Sequence, residues 1–192
     1  MIQNHISSYV KRLSDSLALD GMGKVADLTQ ALLEAWQTGK SIYFCGNGGS
    51  AGNAIHLAND FIYGAGLGFG KGLKVEALSA NSAVLTCLAN DIGYDQIYAE
   101  QIRVKGGAGD ILIVLSGSGN SPNIIKALET GNDLGLKTFA ILGFDGGKAK
   151  HLAQFPIHFP VQDMQIAEDL QLIVGHICMQ WLCDNPPSKN HS

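Results

Sequence analysis

His56 and Asp60 stand four residues apart, and Glu168 and His176 eight apart, in two stretches whose apolar spacing reads as helix. An i, i+4 pair shares a helix face, so His56 and Asp60 can hold one metal ion or exchange one proton. Eight residues separate the second pair by about 80° around the axis, which still lets both point into one cleft. Two imidazoles and two carboxylates form a nitrogen and oxygen set of the kind that binds Zn2+. Each residue also has an ordinary reading: His56 and Asp60 as a solvated helix surface with an interface histidine, His176 as a satisfied histidine in the apolar part of its helix.

Two loops could hold an anion. CGNGGSAGN, residues 45–53, follows the apolar run SIYFC and precedes a helical pattern. Its glycines, Gly48 and Gly49 among them, let backbone amides approach a ligand, and Ser50 adds a hydroxyl at the helix start. Alone, it reads equally as a tight strand-to-helix turn. SGSGNSPN, residues 116–123, follows DILIVL and supplies Ser116, Ser118 and Ser121, with Ser121 placed to N-cap a helix that opens on Pro122. Three hydroxyls beside free helix amides exceed what a turn needs. Neither loop has the lysine of a P-loop or the pattern GxGxxG, so a phosphate monoester fits better than a nucleotide. Asn53 could hydrogen-bond a sugar hydroxyl or tie down its own loop. Asn90 and Asp91 are read between two helical stretches, where N-capping the second accounts for them, with a substrate role as the alternative; Asp145, beside glycines, reads as turn chemistry.

These residues need a frame. Apolar runs SIYFC, KVEAL, DILIVL, KTFAIL and PIHF alternate with helical patterns, which indicates a five-stranded parallel sheet, doubly wound, with helices on both faces. Ligands of such sheets sit outside the carboxyl ends of the strands. Two amphipathic helices lead, from Ile2 to Leu19 and from about Gly23 to Thr38, the second closed by Gly39. One domain is expected over 1–192: a helical pair (1–40), an α/β core (41–184) ending in a long helix from about Met164, and a fraying tail (185–192). The glycine-dense segment Gly64 to Gly72 reads as a mobile loop and a candidate lid.

The net charge of −4 and pI near 5.8 give no general attraction to nucleic acid or to an acidic membrane. Small molecules are the expected partners. The four cysteines form no CxxC pair, the start lacks a signal peptide's pattern, and no apolar run approaches the roughly 20 residues of a membrane span. A reduced, cytoplasmic protein is expected, and its low charged fraction of 16% suggests apolar surface buried between subunits.

CGNGGSAGNAIHLAND, LSGSGNSPNIIKALE, ILGFDGGK and IAEDLQLIVGHI, in that order over nearly the whole chain, resemble the SIS (sugar isomerase) domain family, with a flavodoxin-like sheet, and most of all its phosphoheptose isomerases. The resemblance implies isomerisation of sedoheptulose 7-phosphate to D-glycero-D-manno-heptose 7-phosphate in a homotetramer, with active sites between subunits and one zinc ion in each. It implies phosphate binding by Ser50, Ser116, Ser118 and Ser121, and metal and acid/base roles for His56, Asp60, Glu168 and His176. Two positions depart from the family: Asp60 stands where Glu is usual, and Glu168 where Gln is usual. The shorter Asp60 withdraws its carboxylate by about 1.5 Å, enough to misplace a base, so Glu168 is expected to compensate as ligand or base. Two other readings stay open: a non-catalytic SIS scaffold of the replication-initiator-associating type, and an isomerase of another ketose phosphate.

Overall fold

Strands β1 (Ser41–Gly46), β3 (Ile111–Ser116) and β4 (Lys137–Leu142) are buried along nearly their whole length, as strands covered on both faces must be. With β2 (Lys74–Ala77) and β5 (Phe155–His158) they form one parallel sheet in the order β2-β1-β3-β4-β5. The computed structural model describes residues 1–187; residues 188–192 of the expected tail lie outside the described residues.

Alternate strand residues point to opposite faces, and two apolar cores result. Ile42, Phe44, Ile113, Leu115, Phe139 and Ile141 pack on one face against helices α2 (Val25–Thr38), α3 (Gly49–Asn59) and α8 (Met164–Asp184). Tyr43, Cys45, Leu112, Val114, Ala140 and Leu142 face the other core with α5 (Ala99–Lys105), α6 (Pro122–Asp133) and the short α7 (Ala149–Leu152). Helix α1 (Ile2–Leu17) lies outside the first layer, and its Tyr9 hydroxyl donates to Asp169 of α8 while Arg12 pairs with Asp163, the N-cap of α8.

Three local expectations are corrected. The helix expected from Ser50 to Tyr63 changes at Asp60 into a π turn, Asp60–Gly64, where the Ala65 amide donates to the Asp60 carbonyl. Asn90 and Asp91 are the last two residues of α4 (Ser82–Asp91), so they cap nothing downstream; Asn81 is the N-cap of α4 and accepts from Ala83 and Val84. The 64–72 segment joins the far end of α3 to the start of β2, which puts it at the opposite edge of the sheet from both glycine loops. It is folded into consecutive turns, with Phe69 edge-on to Trp36 and the Trp36 indole donating to the Lys71 carbonyl, so it cannot close over those loops in the same chain.

Candidate functional site

The strand order reverses between β1 and β3, and the loops leaving these two strands are the two that the sequence singled out. In the first, Gly48 takes a positive φ of 56° and α3 begins at Gly49. The Gly46 carbonyl accepts from Tyr98, whose phenol is pushed up by burial and so keeps the proton it donates. In the second, Gly119 has φ 65°, the Ser116 hydroxyl accepts from the Gly119 amide (3.0 Å) and the Ser118 hydroxyl from the Asn120 amide (3.3 Å). Ser121 occupies the N-cap position of α6 with Pro122 following, but its side chain makes no cap bond and stays available. The 143–148 turn supports this loop: Ala149 donates to the Gly119 carbonyl and Lys148 to the Asn120 side chain.

Asn47 and Asn123 latch the loops together. Each amide donates to the other's oxygen, at 2.9 and 2.8 Å, and the Tyr94 hydroxyl adds a third bond to Asn47. Asn47 was legible only as an asparagine between glycines, a turn signal; its partner lies 76 residues away.

Helices α3 and α8 both start at the carboxyl edge of the sheet and run side by side, joined residue by residue. A Cβ at Gly49 would collide with the Glu168 carboxyl, and a Cβ at Gly175 with the buried Leu57 side chain. The Asn53 amide donates to the Glu168 carbonyl and to Gln171 Oε1, both at 3.0 Å, and Gln171 Nε2 donates to the Ser50 hydroxyl at 3.0 Å. Asn53, read either at a sugar hydroxyl or as a tie for its own loop, thus spends both amide hydrogens on α8. Further along the seam the His56 and His176 Nε2 atoms stand 3.0 Å apart, with Asp60 Oδ2 at 3.4 Å from the first and 3.5 Å from the second.

Two Nε2 atoms at that distance either share a hydrogen, one ring donating and the other accepting, or both turn their lone pairs to a cation. His56, Asp60 and His176 offer ligand atoms all within 4.8 Å of one another, and two imidazoles with one carboxylate are a donor set that suits Zn2+. The residues present therefore fit the metal. Within one chain, three of the four expected residues come together among the described residues. Glu168 is two turns up α8 from His176, about 12 Å along the axis, and its carboxyl stands over Gly49. Asn90 and Asp91 bond to each other and to Cys87 on the exposed end of α4 rather than to either loop.

The family model of the SIS domain matches residues 5–143. Two curated relatives are named phosphoheptose isomerase: one from Clostridium acetobutylicum, 34% identical over 95% of this chain and 89% of its own length, and one from Helicobacter pylori, 37% identical over 96% and 93%. The solved structure of the phosphoheptose isomerase from Neisseria gonorrhoeae superposes with a TM-score of 0.85 at 25% identity, covering 95% of this chain and 97% of that one.

Proposed function

The chain belongs to the SIS domain family, and from that premise we propose that it is an aldose–ketose isomerase that converts sedoheptulose 7-phosphate to D-glycero-D-manno-heptose 7-phosphate. One observation carries the reading: the α3–α8 seam that holds the His-Asp-His trio begins at the first loop, at the switch point of the sheet, and the Asn47–Asn123 latch ties that loop to the hydroxyl-lined second one.

The phosphate is assigned to the second loop. The start of α3 already faces a carboxylate, Glu168, which complements its dipole and repels another anion, whereas α6 begins beside the free hydroxyl of Ser121, with Ser116 and Ser118 next to it. The first loop, with Ser50, then addresses the sugar. His56 lies six residues beyond Ser50, roughly 9 Å along α3, so a sugar anchored at the loops can extend its reacting end to the trio.

His56, Asp60 and His176 would hold the zinc ion, which when bound supplies a Lewis acid for the oxyanion that develops on the sugar. Interconversion needs a base to carry a proton between C1 and C2. Asp60 suits that role because Oδ2 is turned to the two imidazoles while, among the described residues, Oδ1 meets only the Asn59 amide at 3.4 Å. His176, whose Nε2 would be committed to the ion, is assigned to holding the metal and not to proton transfer. Glu168, expected as the compensating base, is assigned instead to orienting sugar hydroxyls, since its carboxyl lies near the loop and not near the trio. Phosphate anchoring contributes to rate by holding the reacting carbons in place, an effect worth several kcal/mol in intramolecular reactions.

A homotetramer in the cytoplasm, with its sites covered by neighbouring subunits, completes the proposal. The half-exposed imidazoles and the free state of all four cysteines support it, and no described helix is long and apolar enough to cross a membrane. Incubation of the purified protein with five- to seven-carbon ketose phosphates, with metal analysis of the same sample, tests the whole reading. Turnover of the heptulose phosphate by zinc-loaded protein is expected. Turnover of a shorter ketose alone would move the substrate, and an inert, metal-free oligomer would replace the enzyme by a scaffold.

A further inference from the structure

We propose that Gln171 is a positioning residue that fixes the Ser50 hydroxyl as a hydrogen-bond donor to a sugar oxygen of the substrate. The inference rests on the functional reading above, and the polarity follows from one fixed point. The Glu168 backbone carbonyl can only accept, so the atom of Asn53 that meets it at 3.0 Å is the amide nitrogen. The same nitrogen contacts Gln171 at 3.0 Å, so that end of Gln171 is its oxygen. The other end, which meets Ser50 at 3.0 Å, is therefore the Gln171 nitrogen, and Ser50 accepts from it. The hydroxyl hydrogen of Ser50 is left over.

No acceptor for that hydrogen is present among the described residues, although Ser50 is only 4% exposed and Gln171 1%. The Ser50 oxygen is paired by Gln171 while its hydrogen remains to be donated, and Ser50 stands at the start of α3, where the first loop opens. A substrate oxygen supplies the missing acceptor. The nearby Glu168 carboxyl disfavours phosphate there and suits a neutral sugar hydroxyl or carbonyl. Nothing in the helix pattern of α8 marks Gln171, because the residue acts across 121 positions of sequence.

Gln171→Glu keeps the acceptor for Asn53 but replaces the donor to Ser50 by an acceptor, which turns the hydroxyl hydrogen inward. Gln171→Met removes both contacts at similar volume and serves if the buried charge prevents folding. For either folded variant we expect kcat/KM for sedoheptulose 7-phosphate to fall about tenfold, the scale of one hydrogen bond to substrate. Inhibition by inorganic phosphate, held at the second loop, should stay within twofold of the parent protein. Ser50→Ala should show the same fall, and Ser50→Ala with Gln171→Met no further one. Unchanged kcat/KM in Gln171→Met, an equal weakening of phosphate inhibition, or additive losses would each overturn the assignment. If the parent protein turns over no ketose phosphate, the functional reading fails by itself. Titration of sedoheptulose 7-phosphate binding then decides on Gln171: weaker binding to Gln171→Met supports the inference, and unchanged or absent binding in the parent and variant overturns it.

Discussion

At the scale of single residues, the shortened carboxylate and the relocated one separate cleanly. Asp60→Asn removes a negative ligand atom from a trio whose members lie within 4.8 Å, and it removes the proposed base. We expect zinc content well below one ion per chain and turnover at least about a hundredfold lower, while Asp60→Glu retains both. Glu168→Gln should keep full metal content, raise KM and change kcat by less than about fivefold. A fall in kcat of a hundredfold or more with the metal in place would move the base to Glu168. Metal analysis beside steady-state kinetics reads both outcomes. The i, i+4 spacing of His56 and Asp60 made their pairing legible from sequence alone. Spacing along one helix could not say where Glu168 would point, because that depends on which residue of α3 lies opposite, and the glycine at 49 decides it.

At the scale of elements, the site is a product of how closely α3 and α8 approach. Gly175 lets Leu57 lie directly against the α8 backbone, and Leu57 is fully buried, so a methyl group there must push the helices apart or force Leu57 from its rotamer. Overpacking of this kind costs about 1–3 kcal/mol, only partly offset by the roughly 1 kcal/mol by which alanine favours a helix over glycine. Gly175→Ala is therefore expected to lower stability in denaturant titration and to weaken zinc binding through the neighbouring His176. A stability equal to or above the parent's would mean that the seam has slack. The strands and their order of succession were legible because buried parallel strands are apolar on both faces, as β3 and β4 are. The folding-in of residues 64–72 was not, since contacts such as Phe69 on Trp36 are not encoded in local pattern, whereas the end of α4 at Asp91 carries a local signal in Gly93, with φ 101°.

For the molecule as a whole, the question is what covers the seam. The His56 and His176 side chains are 49% and 41% exposed, and charge–charge attraction between groups so open to water is heavily damped. Near the trio in sequence, Ile55 of α3, Ile62 and Tyr63 of the π turn, and Ile177 and Trp181 of α8 are exposed apolar residues. Exposed apolar residues in such number mark an association surface, and a neighbour covering the trio as well would dry it and strengthen every electrostatic contact inside it. Trp181 lies one turn beyond Ile177, and both line a groove with Val25 and Thr29 of α2. Trp181→Asp is thus expected to leave the fold intact, reduce the sedimenting mass toward that of one chain, and lower turnover by tenfold or more through loss of cover alone. A single-chain species with undiminished turnover would show that the trio works in open water and that the oligomer serves another purpose.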